Sequence, residues 1–213
     1  EQVSARLTQR SFQEIPHFYV KLTCDVTDLM KTLRALPETR KVSLNDVLVK
    51  ATALALQSHR RLNASLVEGG LALHQQVHIG VITATDEGVI TSVVPDADAA
   101  SLAEIRQRVR DVRGRLKAGR AQASDVTGAT FCISNMGMYG VDEFSAIILP
   151  PNVAILAVGA LKEEVLVDHG LMRVAQTITL TVSADHRALD GVAVALFLRG
   201  VQGLLAQPAG WVV

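Results

Sequence analysis

The sequence predicts a single α+β domain with helices packed against a large mixed or antiparallel sheet. Three observations lead there. β-Rich runs come in pairs separated by strong turn signals, capped amphipathic helices stand between those pairs, and no repeat, low-complexity tract or flexible linker interrupts the 213 residues.

Taken in order, Gln2 to Phe12 can form a short helix closed off at Ile15-Pro16, because proline disfavours a continuing helix. From Phe18 to Val26 apolar residues alternate with Tyr19, Lys21, Thr23 and Asp25, the period-2 pattern of a half-buried strand. Thr27 then reads as a helix cap. Ser43-Leu44-Asn45-Asp46 has the form of a capping box, opening a helix that runs to about Gln57. Between Ala64 and Pro95 the turn signals Gly69-Gly70 and Asp86-Glu87-Gly88 divide short β-rich runs into consecutive hairpins, whose natural product is an antiparallel sheet.

Ser101 to Gly119 is helical again, with Leu102, Ile105, Val109, Val112 and Leu116 recurring at intervals of three or four. Gly128 to Ser134 is strand-like and leads into a loop, Asn135 to Gly140, whose two glycines permit a sharp backbone path. Val153 to Ala160, Val165 to Asp168 and Met172 to Ser183 are β-rich, with His169-Gly170 as a turn between the last two. A helix from about Asp190 to Ala206 ends the order.

The chain is apolar for a domain of this size: 49% of its residues are hydrophobic and the mean hydropathy is +0.28. No stretch approaches the ~20 apolar residues that span a bilayer, so the excess belongs in a core or in subunit contacts, which favours an oligomer. Twenty-one basic and twenty-one acidic side chains cancel, which removes any global attraction to nucleic acid or to an anionic membrane. Cys24 and Cys132 are too few for a disulfide framework and lack metal-ligand spacing, as a reducing compartment would allow. The first residues lack the pattern of a signal peptide. His74 and His78 are four apart, a metal-pair spacing on a helix, but their context is β-rich and no metal site is expected.

His186-Arg187-Ala188-Leu189-Asp190-Gly191 sits where an extended run ends and a helix begins. A histidine held there can accept and return a proton near neutral pH, although a lone histidine at a strand end is more often structural than catalytic. Its neighbours change that balance. Gly128–Gly140, Ile148-Leu149-Pro150-Pro151 and Ala154–Gly159 closely resemble the catalytic domain of the dihydrolipoamide acyltransferases. So do Ile15–Tyr19, Val42–Asp46, Leu62–Ser65, His78–Val81 and Asp185–Gly191, in the same order across nearly the whole chain. That family shares its fold and histidine motif with chloramphenicol acetyltransferase and with peptide-synthetase condensation domains. The latter usually carry two adjacent histidines and two lobes, whereas this chain has Asp185-His186 and length for one.

The resemblance implies a chloramphenicol-acetyltransferase-like fold and transfer of an acyl group between a dihydrolipoyl thiol and coenzyme A. It makes His186 the base at the thiol and Ser134 the hydroxyl that stabilises the tetrahedral oxyanion; the alternative for Ser134 is a hydroxyl capping the turn before Gly137. Asp190 becomes a supporting residue that braces the loop by pairing with an arginine near the N-terminus, Arg6 or Arg10. Gly191 relieves crowding at the helix entrance. Asn135 and His17 are candidates for contact with the coenzyme, and for His17 a structural role is at least as natural. The basic helix carrying Arg106, Arg108, Arg110, Arg113, Arg115, Lys117 and Arg120 is able to contact coenzyme A phosphates, but a solvated face is the commoner reading and it stays outside the expected site.

The resemblance further implies homotrimers with the site in a channel between subunits, so that His186 and Ser134 come from different chains. Trimers would assemble into a larger core working with a lipoyl domain, a decarboxylase and dihydrolipoamide dehydrogenase, in bacterial cytoplasm or the mitochondrial matrix. No lipoyl or peripheral-subunit-binding domain is recognisable here, and Gln207–Val213 departs from the family ending. Asn135 to Phe144 looks most like the pyruvate-type enzymes, which makes acetyl the expected group. Two other readings stay open: a structural core protein with little activity, against which His186 and Ser134 argue, and an acyltransferase recruited to an amine or hydroxyl acceptor.

Overall fold

The computed structural model describes residues 2–85 and 88–212. Its elements are α1 (Gln2–Glu14), β1 (His17–Asp25), α2 (Thr27–Ala35), α3 (Leu44–Ser58), β2 (Ala64–Val67), β3 (Gly70–Leu73), β4 (Ile79–Thr85) and β5 (Gly88–Val94). They continue as α4 (Leu102–Lys117), α5 (Ala123–Val126), β6 (Phe131–Asn135), β7 (Ala154–Val158), β8 (Lys162–Asp168), β9 (Leu171–Asp185) and α6 (Gly191–Ala206).

One sheet dominates, in the order β1-β9-β7-β6-β4-β5 with β8 paired to β9. The expected hairpins form, but they do not merge into an antiparallel sheet. β2 and β3 make a separate two-stranded sheet, while the chain returns through α4 and α5 to lay β6 parallel to β4 and then β7 parallel to β6. Parallel neighbours need such a long crossover, so the sheet is mixed. Asp86 and Glu87 of the expected turn lie outside the described residues, though β4 and β5 pair from Ile79↔Val94 to Thr85↔Gly88.

α3 runs through the middle of the molecule. Ser43 and Asp46 close the capping box as expected, and Val47, Leu48, Val49, Ala51 and Ala53 are fully buried, so apolar residues cover most of its circumference. A helix buried on nearly all sides is part of the core rather than a lid over it. It packs on α6, which in turn packs on β1. Truncating a side chain such as Leu48 to alanine there costs about 2–5 kcal/mol.

β1 begins one residue earlier than its alternation suggests, and Thr27 is not the cap of α2. The Thr27 N–H and hydroxyl both donate to Asp25 Oδ1, at 2.9 and 2.6 Å, which turns the chain out of the strand before Val26. β9 is long and two-natured. From Leu171 to Val174 it is exposed and pairs with β8, whereas from Thr177 onward it is buried at the centre of the sheet. That exposed hairpin carries Val167 at 72% and Met172 at 80% exposure, an apolar surface of the kind that marks contact with another molecule.

Candidate active site at the two ends of the sheet

At the end of β9 the chain leaves the sheet through a tightly held loop. The His186 N–H donates to the Pro16 carbonyl at 3.1 Å, and the Asp185 N–H to the Val153 carbonyl at 2.9 Å. Asp185 is 1% exposed, and its carboxylate accepts from Arg187 at the backbone N–H, at Nε and at Nη2, the last at 2.7 Å. A buried carboxylate with a bidentate arginine is a rigid unit. The His186 ring itself is exposed, lies 4.6 Å from the Phe18 ring centroid to centroid, and makes no side-chain hydrogen bond among the described residues. Its backbone is fixed while its nitrogens stay available.

Three expectations about this loop need correction. Among the described residues Asp190 pairs with no arginine: it is exposed, and its Oδ1 accepts the Ala193 N–H at 2.8 Å, capping α6. Arg10 bonds Glu14 instead, and Arg6 is exposed with no ion pair among the described residues. The arginine that braces the loop is Arg61, whose Nη2 donates to the Ala188 carbonyl at 2.7 Å. Gly191 relieves no crowding, since a Cβ there would meet nothing within 4 Å. Nor is His17 available to a coenzyme. Its Nδ1 lies 2.8 Å from the Ile15 carbonyl and its Nε2 accepts the Ile148 N–H at 3.2 Å, so both nitrogens are used in joining β1 to the segment before β7.

Ser134 sits near the C-terminal end of β6, half-buried, opposite Ile82 on β4 and Ala157 on β7. It does not cap the following turn. Asn135 does, with Oδ1 accepting the Gly137 N–H at 2.9 Å, and the Ser134 hydroxyl is left without a partner among the described residues. The glycines of that turn are required: a Cβ on Gly137 would lie 2.7 Å from the Gly159 carbonyl, and Gly140 has φ 73°.

At the end of β6, lined by Asn135 and by Ile82, the strand partner of Ser134, opens a hollow of about 410 Å³, bounded also by Asn45 and the N-terminus of α3, by Tyr139, and by α4. Here the expectation of a solvated basic helix is only partly met. Arg106, Arg110 and Arg113 line the hollow, whereas Arg115 and Arg108 turn the other way to the fully buried Asp125, at 2.7 and 3.1 Å. The Arg115 guanidinium, helped by the Gln122 N–H, holds the Asp125 carboxyl well below the usual carboxylate range. Cys132, two positions before Ser134 on β6, is inert by comparison, since burial pushes its thiol up to about 12.

The two candidate groups do not meet within one chain. Ser134 is level with Ala157 and so with Thr181 on β9, five positions before His186, and two strands away. At about 3.4 Å per residue and about 4.8 Å per strand, the separation is roughly 20 Å.

Residues 1–213 match the family described as 2-oxoacid dehydrogenases acyltransferase (catalytic domain). The chain belongs to this family. It is 36% identical over 221 residues to the dihydrolipoyllysine-residue acetyltransferase component of the pyruvate dehydrogenase complex of Rhizobium meliloti, covering 99% of this chain and 49% of that protein. The chain thus spans about half the length of the curated relatives it matches. Among solved structures, the cubic core of the pyruvate dehydrogenase multienzyme complex superposes with TM-score 0.94 at 27% identity, over 100% of this chain and 90% of that one. Azotobacter vinelandii dihydrolipoamide acetyltransferase does so with TM-score 0.94 at 26% identity and the same coverages, in a study of a serine, a histidine and an asparagine in its catalytic mechanism. Chloramphenicol acetyltransferase, at 12% identity and TM-score 0.58, shares the fold, as expected for this acyltransferase family.

Proposed function

We propose that this domain transfers an acyl group, acetyl in the first instance, between coenzyme A and a dihydrolipoyl thiol. His186 of one subunit and Ser134 of a neighbour would act on the same tetrahedral intermediate. The observation that carries this reading is the pair of uncommitted groups at opposite ends of the sheet. In the Azotobacter enzyme the serine and histidine under study lie 52 positions apart, the separation of 134 and 186 here, and the asparagine follows the histidine by four, where this chain has Asp190. An uncharged asparagine there fits a capping role for that position better than proton transfer.

The chemistry follows from thiol acidity. A thiol of pKa ~8.5 is mostly protonated near neutrality, and only the thiolate is a strong nucleophile. An imidazole of unperturbed pKa ~6.5 at the sulfur takes the proton as the sulfur attacks the thioester carbon. The new carbon–sulfur bond pushes charge onto the carbonyl oxygen, which the Ser134 hydroxyl stabilises by donating to it. Collapse of that oxyanion breaks the bond to the departing thiol, which recovers the proton from His186. Because neither step uses a metal or an external redox partner, the protein has only to position two thiols and one carbonyl.

Groups that act through hydrogen bonds need about 3 Å, so a separation of roughly 20 Å supports a site assembled at an interface rather than within one chain. The exposed apolar hairpin β8–β9, with Val192 and Leu196 on α6, supplies surface for such contacts. Trimers of this kind, stacked into a core that serves a lipoyl domain, a decarboxylase and dihydrolipoamide dehydrogenase, complete the reading. Both thiol carriers are then substrates, the lipoyl group arriving on a separate domain.

The test is acetyl transfer from acetyl-coenzyme A to free dihydrolipoamide by the parent protein and by His186→Ala at matched oligomeric state. Transfer that collapses in the variant supports the reaction and the base together. An assembled parent that transfers no acetyl group rules the assignment out in favour of a structural core or another acceptor.

A further inference from the structure

Two backbone acceptors hold the His186 loop. The Pro16 carbonyl takes the His186 N–H at 3.1 Å, and the Val153 carbonyl takes the Asp185 N–H at 2.9 Å. They lie on different segments, one at the junction of α1 and β1, the other just after residues 141–149, which form no helix or strand. The His17 side chain joins those two segments. Its Nε2 accepts the Ile148 N–H at 3.2 Å, and because an amide N–H can only donate, the ring proton sits on Nδ1, which donates to the Ile15 carbonyl at 2.8 Å. The same carbonyl accepts the His17 N–H at 2.8 Å, so ring and backbone of His17 both close on the residue before Pro16. Ile148 is fully buried, and its carbonyl accepts the hydroxyl of Ser11, itself 1% exposed, at 2.6 Å. A buried amide outside any helix or strand is costly to leave unpaired, and here the imidazole is its partner.

We propose that His17 is a positioning residue for His186: by tying Ile15 to Ile148 it keeps the Pro16 and Val153 carbonyls at a fixed spacing, and with them the direction in which the His186 ring leaves its loop. What His186 does rests on the acyl-transfer reading; how it is held rests on the hydrogen bonds alone. The strand that His17 opens meets His186 twice. Residue 17 is level with Asp185 on β9, and the next side chain, Phe18, places its ring 4.6 Å from the His186 ring. A shift at the start of β1 would therefore move both the carbonyl that holds the His186 N–H and the ring that packs on the imidazole. His17 does not line the hollow at the end of β6, so its effect falls on the aim of the base and not on binding at that hollow.

Variants that separate the two ring bonds test this. Glutamine can offer an acceptor where Nε2 sits, asparagine a donor where Nδ1 sits, and leucine neither. In acetyl transfer from acetyl-coenzyme A to dihydrolipoamide at matched oligomeric state, His17→Leu is expected to lower kcat about 10- to 100-fold with the KM for the coenzyme unchanged. His17→Gln, which keeps the tie to Ile148, should recover more of kcat than His17→Asn. Hydrogen exchange of peptides carrying the Asp185 and His186 amides, read by mass spectrometry, should be fastest in the leucine variant, slower in asparagine, and slower again in glutamine. Should the leucine variant fail to assemble, the order of glutamine and asparagine carries the test. An unchanged kcat in His17→Leu, a rise in KM alone, equal losses in the glutamine and asparagine variants, or exchange at 185–186 that ignores the substitutions overturns the proposal. If the parent transfers no acetyl group, the exchange result still decides: faster exchange in the leucine variant keeps His17 as the tie and removes only the reaction.

Discussion

The two ends of the sheet hold their key side chains by different means. At the His186 end almost every contact is made to the backbone: Pro16 and Val153 receive the N–H groups of His186 and Asp185, Arg61 holds the Ala188 carbonyl, and the Asp185–Arg187 pair stiffens the turn. At the Ser134 end the backbone is already fixed by strands on both sides, and the neighbouring side chains are arranged around a hollow with a cationic wall. On the proposed reading the first end aims one base, while the second offers an open, cation-lined hollow. Neither contains what the other supplies, and about 20 Å separates them, which is why the proposed active unit is larger than the chain.

The sharpest way to break this comparison is to remove the central group at each end. His186→Ala is expected to lower kcat by about 10² to 10⁴, the range of a positioned general base. Ser134→Ala should cost about 10² to 10³, the worth of an oxyanion donor. Steady-state rates at matched oligomeric state check both, and a loss under tenfold in either would take that residue out of the chemistry.

Next in size is the brace. Arg61→Ala frees the Ala188 carbonyl and lets the His186 loop shift, which should lower kcat about 10- to 100-fold with the KM for coenzyme A unchanged. A rise in that KM alone would mean that Arg61 serves the ligand instead of the loop.

Asp125→Asn probes the other end, where Arg115 and Arg108 anchor α4. Because the folded chain keeps this carboxyl ionised to lower pH than the unfolded chain does, its stabilisation is complete above the unfolded pKa of about 3.9 and is lost as pH falls from there towards the folded value. Urea midpoints should thus favour the parent at pH 7 and converge as pH falls below about 4. A gap that stays constant with pH would show that the carboxylate's charge is not what matters.

The smallest effect expected is at Asp190. Asparagine caps a helix as well as aspartate, so Asp190→Asn should keep both stability and kcat, and Asp190→Ala should lose about 1 kcal/mol of stability. A large drop in kcat for the asparagine variant, with a normal melting temperature, would make Asp190 a partner in proton transfer.

Much of this was legible from local pattern. The strand of alternating residues at β1, the capping box at Ser43, the glycine loop after Ser134 and the placing of His186 between strand and helix all depend on neighbours within a few positions. What escaped depended on distance. Arg61 reaches a carbonyl 127 positions away, and His17 is used up by Ile148, 131 positions on, so no spacing announces either contact. Asp190 misled because the resemblance implied an arginine partner from the N-terminal segment, when its position at a helix start gave its carboxylate the Ala193 N–H instead. The arginines of α4 form a single basic run in the sequence; only the location of Asp125 and of the hollow divides them. A helical wheel would have put 106, 110 and 113 on one stripe, but not told what faced it.

The central claim is that the site is shared between chains, and subunit mixing tests it most directly. His186→Ala and Ser134→Ala proteins, each nearly inactive, are unfolded, combined in equal amounts and reassembled, and acetyl transfer is measured against self-mixed controls. If each site takes its histidine from one chain and its serine from the next, random assembly restores about a quarter of the parent activity. Co-assembled hybrids that stay as inactive as the two controls would contradict the account.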